Sequence, residues 1–268
     1  MAALGRSPLR RSAALASLAM EPTRAPLETR LVEYRQRATV LEGYLAYEKR
    51  GAGKRPGVLV VHEWTGVGRY VKERAEQLAR LGYVAFAADL YGKGVRPESA
   101  ADAAATATIY KNDRVLLRER VKAGLEELCR QENVDPARIA AIGYCFGGMA
   151  ALELARSGAD LKGVVSFHGA LDTPTPQDAA NIRAKVLALH GADDPWVPPA
   201  QVAQFEEEMR GGKVDWQLVK YAKAVHSFTN PDAGNDPTRG AAYNADADRR
   251  SWEHMKCFFS EIFAESPS

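Results

Sequence analysis

The sequence has few cysteines and no long apolar run, and both features narrow what the protein can be. Its three cysteines lie at positions 129, 145 and 257, without the C-x-x-C spacing of redox or zinc sites. They cannot form a disulfide framework, so we expect a reducing compartment, the cytoplasm. No apolar stretch approaches the ~20 residues that cross a bilayer, so we expect no membrane-spanning segment.

Charge of neither sign dominates the chain. Lysine and arginine together number 36, against 34 aspartates and glutamates, and the net charge is +2. Because basic residues are interspersed with acidic ones, the chain has no basic stripe for nucleic acid and no polybasic patch for a membrane surface. We therefore expect a small-molecule substrate and a monomer or small homo-oligomer. No motif implies a metal or an organic cofactor.

The first 24 residues differ from the rest of the chain. Arg10 and Arg11 precede an Ala- and Leu-rich run that ends at Met20. This run is short for a signal peptide and lacks a convincing cleavage site. We predict a disordered extension over residues 1–24, followed by a single domain over residues 25–268, a length that suits one large α/β domain.

Short β-branched runs alternate with amphipathic helices through most of this domain. An opening antiparallel hairpin is predicted at 31–35 and 40–47, and later strands at 58–61, 83–88, 139–142, 163–167, 185–189 and 214–221. Helices are predicted at 70–81, 113–131, 149–156 and 200–210 and near the C-terminus, and the Ala-rich stretch 99–107 predicts a helix or a loop over the site. This alternation indicates an α/β fold with a mainly parallel central sheet and helices on both faces. Ligands of such sheets bind at the carboxyl ends of the strands.

Two glycines flank a cysteine in the segment Gly143-Tyr144-Cys145-Phe146-Gly147. An apolar run precedes this segment and an Ala- and Leu-rich helix follows it, which is the context of a nucleophile elbow. Such a turn holds its central residue in a strained backbone conformation and needs small residues two positions away on each side. The helix N-terminus favours a thiolate at that place. The alternative is that Cys145 is a small buried apolar residue in a glycine turn.

A nucleophilic cysteine needs a base, and the base needs an orienting acid. Asp193 and Asp194 follow the predicted strand 185–189, and His226 follows the strand 214–221, so both residue types lie at carboxyl ends of strands. The order of nucleophile, acid and base along the chain is that of α/β-hydrolases. Singly, the histidine could be an ordinary loop residue and the acid a turn former. Periodicity does not distinguish Asp193 from Asp194.

The other histidines, at positions 168, 190 and 254, do not occupy the place of the base. The segment His62-Glu63-Trp64 follows the first buried strand, where α/β-hydrolases supply a second oxyanion N–H. We predict that the backbone N–H groups of Trp64 and Phe146 form an oxyanion hole. Glu63 adjoins this hole at the end of an apolar strand, which favours a role near the sulfur over that of an ordinary surface acid.

With these residues identified, the chain resembles the dienelactone hydrolase family of α/β-hydrolases from about Val40 to the C-terminal helix. The resemblance rests on the segments Val61-His62-Glu63-Trp64, Ala88-Asp89-Leu90-Tyr91-Gly92, Gly143-Tyr144-Cys145-Phe146-Gly147-Gly148, His190-Gly191-Ala192-Asp193-Asp194-Pro195-Trp196-Val197-Pro198 and His226-Ser227-Phe228. It implies an α/β-hydrolase fold in which Cys145 is the nucleophile, His226 the base and Asp194, rather than Asp193, the acid. It also implies that Glu63 takes the proton of the resting cysteine when substrate arrives.

The resemblance further implies substrate contacts for Tyr91, Lys93, Ser227 and Phe228. Members of the family hydrolyse carboxylate-bearing dienelactones and hold the carboxylate with two arginines. Here Lys93 stands in place of one arginine and Asn230 in place of the other. A lysine still neutralises a carboxylate as a point charge, but the bidentate fork of arginine is missing.

We therefore predict a carboxylic-ester hydrolase that cleaves a lactone or ester through a Cys-His-Asp triad and a covalent acyl-enzyme. A general esterase or thioesterase on the same scaffold would share every catalytic residue, so only a substrate profile distinguishes it. A third hypothesis is a redox-sensing pseudo-enzyme in which Cys145 is oxidised without turnover. A sensor does not require an acid and a base in triad order.

Overall fold

The computed structural model describes residues 25–51 and 53–264, and within them eight strands form one sheet. The strands are β1 (Leu27–Gln36), β2 (Thr39–Glu48), β3 (Arg55–Val61), β4 (Val84–Ala88), β5 (Val134–Tyr144), β6 (Gly163–Phe167), β7 (Lys185–Gly191) and β8 (Trp216–Tyr221). The helices are α1 (Arg69–Arg80), α2 (Ala100–Asn112), α3 (Arg114–Cys129), α4 (Phe146–Arg156), α5 (Pro199–Gly211) and α6 (Ala245–Ile262). The extension predicted over residues 1–24 lies outside the described residues.

The sheet is mainly parallel, as the alternation of strands and helices predicts. Its strand order is β1-β2-β4-β3-β5-β6-β7-β8. The hairpin β1–β2 is antiparallel and joins the rest through an antiparallel β2–β4 pair, whereas β4, β3, β5, β6, β7 and β8 all run parallel. Consequently the loops that follow β3, β5, β6, β7 and β8 all leave from one edge of the sheet.

Helices cover both faces of the sheet, which confirms the predicted fold class. Along β3 the side chains of Val58 and Val60 pack on the side of α1 and α6, while Leu59 and Val61 pack on the side of α3, α4 and α5. This alternation follows from the two-residue period of a strand, and the continuous β-branched sequence suits a strand covered on both faces. Among the described helices, none combines the length and apolar character of a bilayer crossing.

The structure defines two helices that the sequence left partly open. The Ala-rich stretch, predicted as a helix or a loop, is a helix, α2, and the Ser99 side chain caps its N-terminus by accepting a hydrogen bond from the Asp102 N–H at 3.1 Å. Helix α4 begins at Phe146, three residues earlier than its apolar pattern indicates, because the elbow turn leads directly into the helix. The first N–H groups of α4 therefore lie beside Cys145.

A buried ion cluster connects α4 to α5. Arg156 is fully buried, and its guanidinium donates to both carboxylate oxygens of Glu208, at 2.7 and 2.8 Å, and to Glu153 at 3.0 Å. It also donates to the carbonyl of Leu171 at 3.0 Å. Glu153 receives a second donor from Arg118 at 2.8 Å. Because every charge in the cluster has a partner, the burial is tolerable, and loss of one member leaves a charge uncompensated.

The Arg156→Met substitution should lower the free energy of unfolding by about 3–5 kcal/mol, since it leaves the buried Glu208 carboxylate without its cationic partner. Urea denaturation measures the change. Arg249→Met is the matched control, because Arg249 pairs with Asp246 on the surface, with more than half of each side chain exposed; its effect should stay within about 0.5 kcal/mol. Equal effects of the two substitutions would contradict a stabilising role for the buried cluster.

Candidate active site

Cys145 occupies a strained turn between β5 and α4. Its backbone angles are φ 54° and ψ −116°, a conformation that L-residues rarely adopt. Two glycines make the turn possible: a β-carbon at Gly143 would overlap the carbonyl of Gly147, and one at Gly147 would overlap the carbonyl of Val61. The turn therefore projects the Cys145 side chain into the cavity above the sheet edge, the geometry that the G-x-C-x-G spacing predicts.

Asp194 and His226 approach this cysteine from the carboxyl ends of β7 and β8. The Nδ1 atom of His226 lies 2.8 Å from Oδ2 of Asp194, and both residues are buried. The other carboxylate oxygen of Asp194 accepts the Trp196 N–H at 2.9 Å, which fixes the orientation of the acid. The neighbouring Asp193 is exposed. Of the two aspartates that the sequence left open, the structure pairs Asp194 with the histidine.

The electrostatics of His226 are those of a base that holds a proton. Burial lowers its pKa, but the negative charge and hydrogen bond of Cys145, together with Asp194, outweigh burial and raise the pKa to about 10. Trp196 covers one side of the imidazole, with ring centroids 4.8 Å apart. The arrangement favours the imidazolium form of His226.

Glu63 is buried at the end of β3 and faces the same cavity. Burial raises its pKa to about 7, although a hydrogen bond from Asn230 Nδ2 to its Oε2 at 2.6 Å and the charge of His226 act in the opposite direction. Asn230, which stands in place of an arginine, thus binds Glu63. A carboxyl group with this pKa can accept or release a proton near neutral pH.

The two backbone N–H groups predicted from the sequence to form an oxyanion hole both belong to residues that line the cavity. The N–H groups of Trp64 and Phe146 have no acceptor among the described residues. Phe146 is the first residue of α4, so its N–H has no intrahelical acceptor. The Trp64 carbonyl accepts a hydrogen bond from the Tyr91 hydroxyl at 2.9 Å, which holds the peptide that follows Trp64.

Of the four residues predicted to bind substrate, one lines the cavity and three do not. Ser227 lines the cavity. Tyr91 and Phe228 do not: Tyr91 lies beneath Trp64, and Phe228 is fully buried, with its ring 5.0 Å from that of His168. Lys93 pairs with Glu33 and Glu42 on the β1–β2 hairpin, outside the cavity. The motif indicated their sequence neighbourhood, but the direction of each side chain depends on loop geometry that the motif does not encode.

The cavity has a volume of about 680 Å³ and is lined largely by aromatic and apolar groups. Three charged side chains besides Glu63 and His226 line it: Arg69, Asp232 and Lys111. Arg69 and Asp232 pair with each other at 2.7 Å, whereas no carboxylate of the described residues lies within 4.0 Å of the Lys111 amine. Sequence reasoning missed Lys111, because it lies near the end of α2, far from every motif.

His168 is a second residue whose role the sequence did not reveal. It is fully buried, and its Nδ1 accepts a hydrogen bond from the backbone N–H of Cys145 at 3.2 Å. Its position directly after β6 was the available signal, since that strand ends at the same sheet edge. A contact to the backbone of the nucleophile, however, leaves no pattern in the sequence.

Comparisons with known proteins agree with this geometry. The sequence model of the Dienelactone hydrolase family matches residues 41–263. The chain belongs to the dienelactone hydrolase family. As a member of this family, the protein is a hydrolase that acts on carboxylic ester bonds, and its fold is the α/β-hydrolase fold.

Two solved structures and one curated relative illustrate the similarity. A structure described as m3DLH is 41% identical, with a TM-score of 0.85, and the match covers 89% of this chain and 99% of the other. The dienelactone hydrolase-like promiscuous phosphotriesterase P91 from metagenomic libraries is 42% identical, with a TM-score of 0.84 and the same coverage. A probable 2-oxo-3-(5-oxofuran-2-ylidene)propanoate lactonase of a Bradyrhizobium species is 30% identical over 70% of this chain and 79% of its own length.

The raised pKa of Glu63 predicts a pH dependence of folding stability. The unfolded chain loses this proton near pH 4.5 and the folded protein near pH 7, so the unfolded state binds fewer protons between these values. The stability that Glu63 contributes is therefore complete below pH 4.5 and is lost as the pH rises to about 7, by roughly 3 kcal/mol.

Urea denaturation of wild type and Glu63→Gln at several pH values measures this effect. The stability of the variant relative to wild type should increase from pH 4.5 to pH 7.5, because glutamine cannot ionise. Glu207→Gln removes an exposed carboxyl group outside the cavity and is the matched control for loss of one acid. A pH-independent difference between Glu63→Gln and wild type would show that the folded protein does not hold this proton.

Proposed function

We propose that this protein hydrolyses lactones or esters through a Cys145-His226-Asp194 triad and a covalent acyl-enzyme. One observation carries the proposal: a cysteine in a nucleophile elbow, a buried His–Asp pair and two N–H groups without acceptors converge on one cavity. Each group matches one requirement of acyl transfer, namely attack, proton transfer and stabilisation of the oxyanion. A reducing compartment such as the cytoplasm suits the free thiol.

The reaction begins with proton transfer from the Cys145 thiol to the Glu63 carboxylate. The thiolate then attacks the carbonyl carbon, and the N–H groups of Trp64 and Phe146 stabilise the oxyanion. When the tetrahedral intermediate collapses, the bond to the leaving oxygen breaks, and the His226 imidazolium protonates the alkoxide or enolate. The acyl group is now held on the sulfur as a thioester.

Hydrolysis of the thioester completes the cycle. Neutral His226 removes a proton from a water molecule, and the resulting hydroxide attacks the acyl carbon. The acid product leaves, the thiolate takes its proton back from Glu63, and the imidazolium is restored. Asp194 orients the imidazole throughout and stabilises its charged form. The sum of these steps is one ester and one water converted to one acid and one alcohol.

The Cys145→Ala substitution should lower kcat/KM for a lactone and for short aryl esters by more than about 10³-fold, since the nucleophile is lost. A steady-state assay against a dienelactone, a simple lactone, aryl esters, a thioester and a phosphate triester measures the loss. The triester is included because P91 is described as a promiscuous phosphotriesterase. Mass spectrometry of wild type, quenched during turnover of a slow ester, should detect one acyl group on Cys145.

Cys257→Ala is the matched control, since it removes an exposed thiol from α6; it should keep wild-type activity. Retention of ester hydrolysis by Cys145→Ala would overturn the proposed mechanism. If wild type cleaves aryl esters or thioesters but no lactone, the protein is a general esterase on this scaffold. If it cleaves nothing and Cys145 oxidises readily, these results would favour the redox-sensor hypothesis over the hydrolase.

Lys111 provides the cavity with a cation that is not paired with any carboxylate of the described residues. We expect Lys111→Met to raise KM for a carboxylate-bearing lactone by about two- to fivefold, the effect of one exposed charge. KM for a neutral aryl ester should not change. Lys93→Met is the matched control, because Lys93 pairs with Glu33 outside the cavity. A larger effect of Lys93→Met than of Lys111→Met would contradict this assignment and restore Lys93 as the substrate-binding lysine.

A further inference from the structure

A chain of buried hydrogen bonds joins the nucleophile elbow to the loop that carries His226. It begins at the backbone N–H of Cys145, which is shared between the carbonyl of Phe167, at 3.0 Å, and Nδ1 of His168, at 3.2 Å. The opposite ring nitrogen of His168, Nε2, lies 2.6 Å from the hydroxyl oxygen of Thr229. His168 and Thr229 are both fully buried, so water cannot replace either contact.

The contacts of His168 fix its tautomer. Because the N–H of Cys145 can only donate, Nδ1 must be the acceptor, and the proton of the neutral ring is on Nε2. Nε2 therefore donates to Thr229. Burial, and next the positive charge of His226, hold the pKa of His168 well below its ordinary value. A neutral His168 avoids a second cation beside the His226 imidazolium, whose ring centroid is 5.4 Å away.

Thr229 is anchored from three sides. Its hydroxyl contacts His168 and also Tyr70, at 2.6 Å, while its carbonyl accepts a hydrogen bond from Arg74 at 2.7 Å. Arg74 is itself held by Asp248 of α6, at 2.6 Å. Thr229 lies three residues after His226 and directly before Asn230, the donor to Glu63. Thr229 thus connects the loop that carries His226 and Asn230 to His168, and through His168 to the backbone of Cys145.

We propose that His168 and Thr229 are positioning residues that hold the Cys145 elbow and the His226 loop at a fixed separation. This inference rests on the proposed function, because the separation matters only if the sulfur and the imidazole exchange charge. A displacement of about 1 Å between reacting groups can reduce turnover by about 10²-fold. The Asp194–His226 pair orients the imidazole from one side, and the imidazole contacts the side chain of Cys145. The His168–Thr229 link adds a connection to the backbone of the elbow.

The Thr229→Val substitution removes the hydroxyl at nearly constant volume and leaves the Nε2–H of His168 unpaired. We expect kcat for the best ester to fall by about 10- to 100-fold with KM changed less than about twofold. The rate of Cys145 alkylation by iodoacetamide should reach its plateau at higher pH than in wild type, because the imidazolium no longer stabilises the thiolate as well. Thr229→Ser, which keeps the hydroxyl, should restore both properties.

Alkylation is measured without substrate, so it remains informative if the ester panel fails. The titratable groups that face Cys145 are Glu63, Tyr91, His168 and His226, and Thr229→Val replaces none of these residues. A lower thermal midpoint with wild-type kcat and alkylation profile would overturn the proposal, since it indicates a packing role alone. The same conclusion follows if Thr229→Ser is as impaired as Thr229→Val.

His168→Asn gives a second test if Thr229→Val is too unstable to assay, and a double-mutant cycle tests the link where both variants fold. In His168→Asn the amide oxygen can take the place of Nδ1 and accept the Cys145 N–H, while the link to Thr229 is lost. Asparagine also tolerates the φ of 40° at this position. His168→Asn should reproduce the defect in kcat and alkylation, and addition of Thr229→Val should cause no further loss, because both changes break one link. Additive losses would show that the two residues act separately.

Discussion

The close approach of two glycines at the elbow is the constraint on which the active site depends. The carbonyl of Val61 in β3 occupies the space of a β-carbon at Gly147, and the carbonyl of Gly147 occupies the space of one at Gly143. Helix α4 can therefore start one residue after Cys145, so that its N-terminus lies beside the nucleophile. The strain of this turn, of order 1–3 kcal/mol, is offset by the burial of α4 against the sheet.

Three neighbouring ionisable groups at the site differ in protonation because their neighbours differ. Glu63, His168 and His226 are all buried, and burial disfavours the charge on each. Only His226 gains enough from the Cys145 thiolate and from Asp194 to become the preferred cation. Glu63 has a neutral amide as its donor, so its proton is held until about pH 7. The site thus holds one stable positive charge and one proton that can move.

The position of a residue relative to the strands and helices was predictable from the sequence. The succession of strands and helices along the chain, the covered sheet and the positions of Cys145, Asp194 and His226 depend on hydrophobic periodicity and on strand ends, which the sequence displays. The partners of side chains were not predictable in the same way. Asn230 donates to Glu63, and His168 accepts the N–H of Cys145, through contacts between loops that are distant in sequence. Such contacts depend on loop conformation, which no periodicity records.

The positions of Lys93 and Lys111 show how the substrate preference of such a scaffold can change while its catalytic residues stay the same. Lys93 follows β4 but pairs with Glu33 of the hairpin, so its charge is neutralised outside the cavity. Lys111 comes from α2, a helix that lies over the sheet edge and contributes nothing to the triad. A cation on such a helix can be exchanged or lost without disturbing the strained elbow. A cation that also bound Glu63 could not be exchanged without disturbing the surroundings of Glu63. Because Asn230 and not a cation binds Glu63, the proton transfer proposed at Glu63 and the proposed recognition of a substrate anion fall to different residues, and each can vary independently.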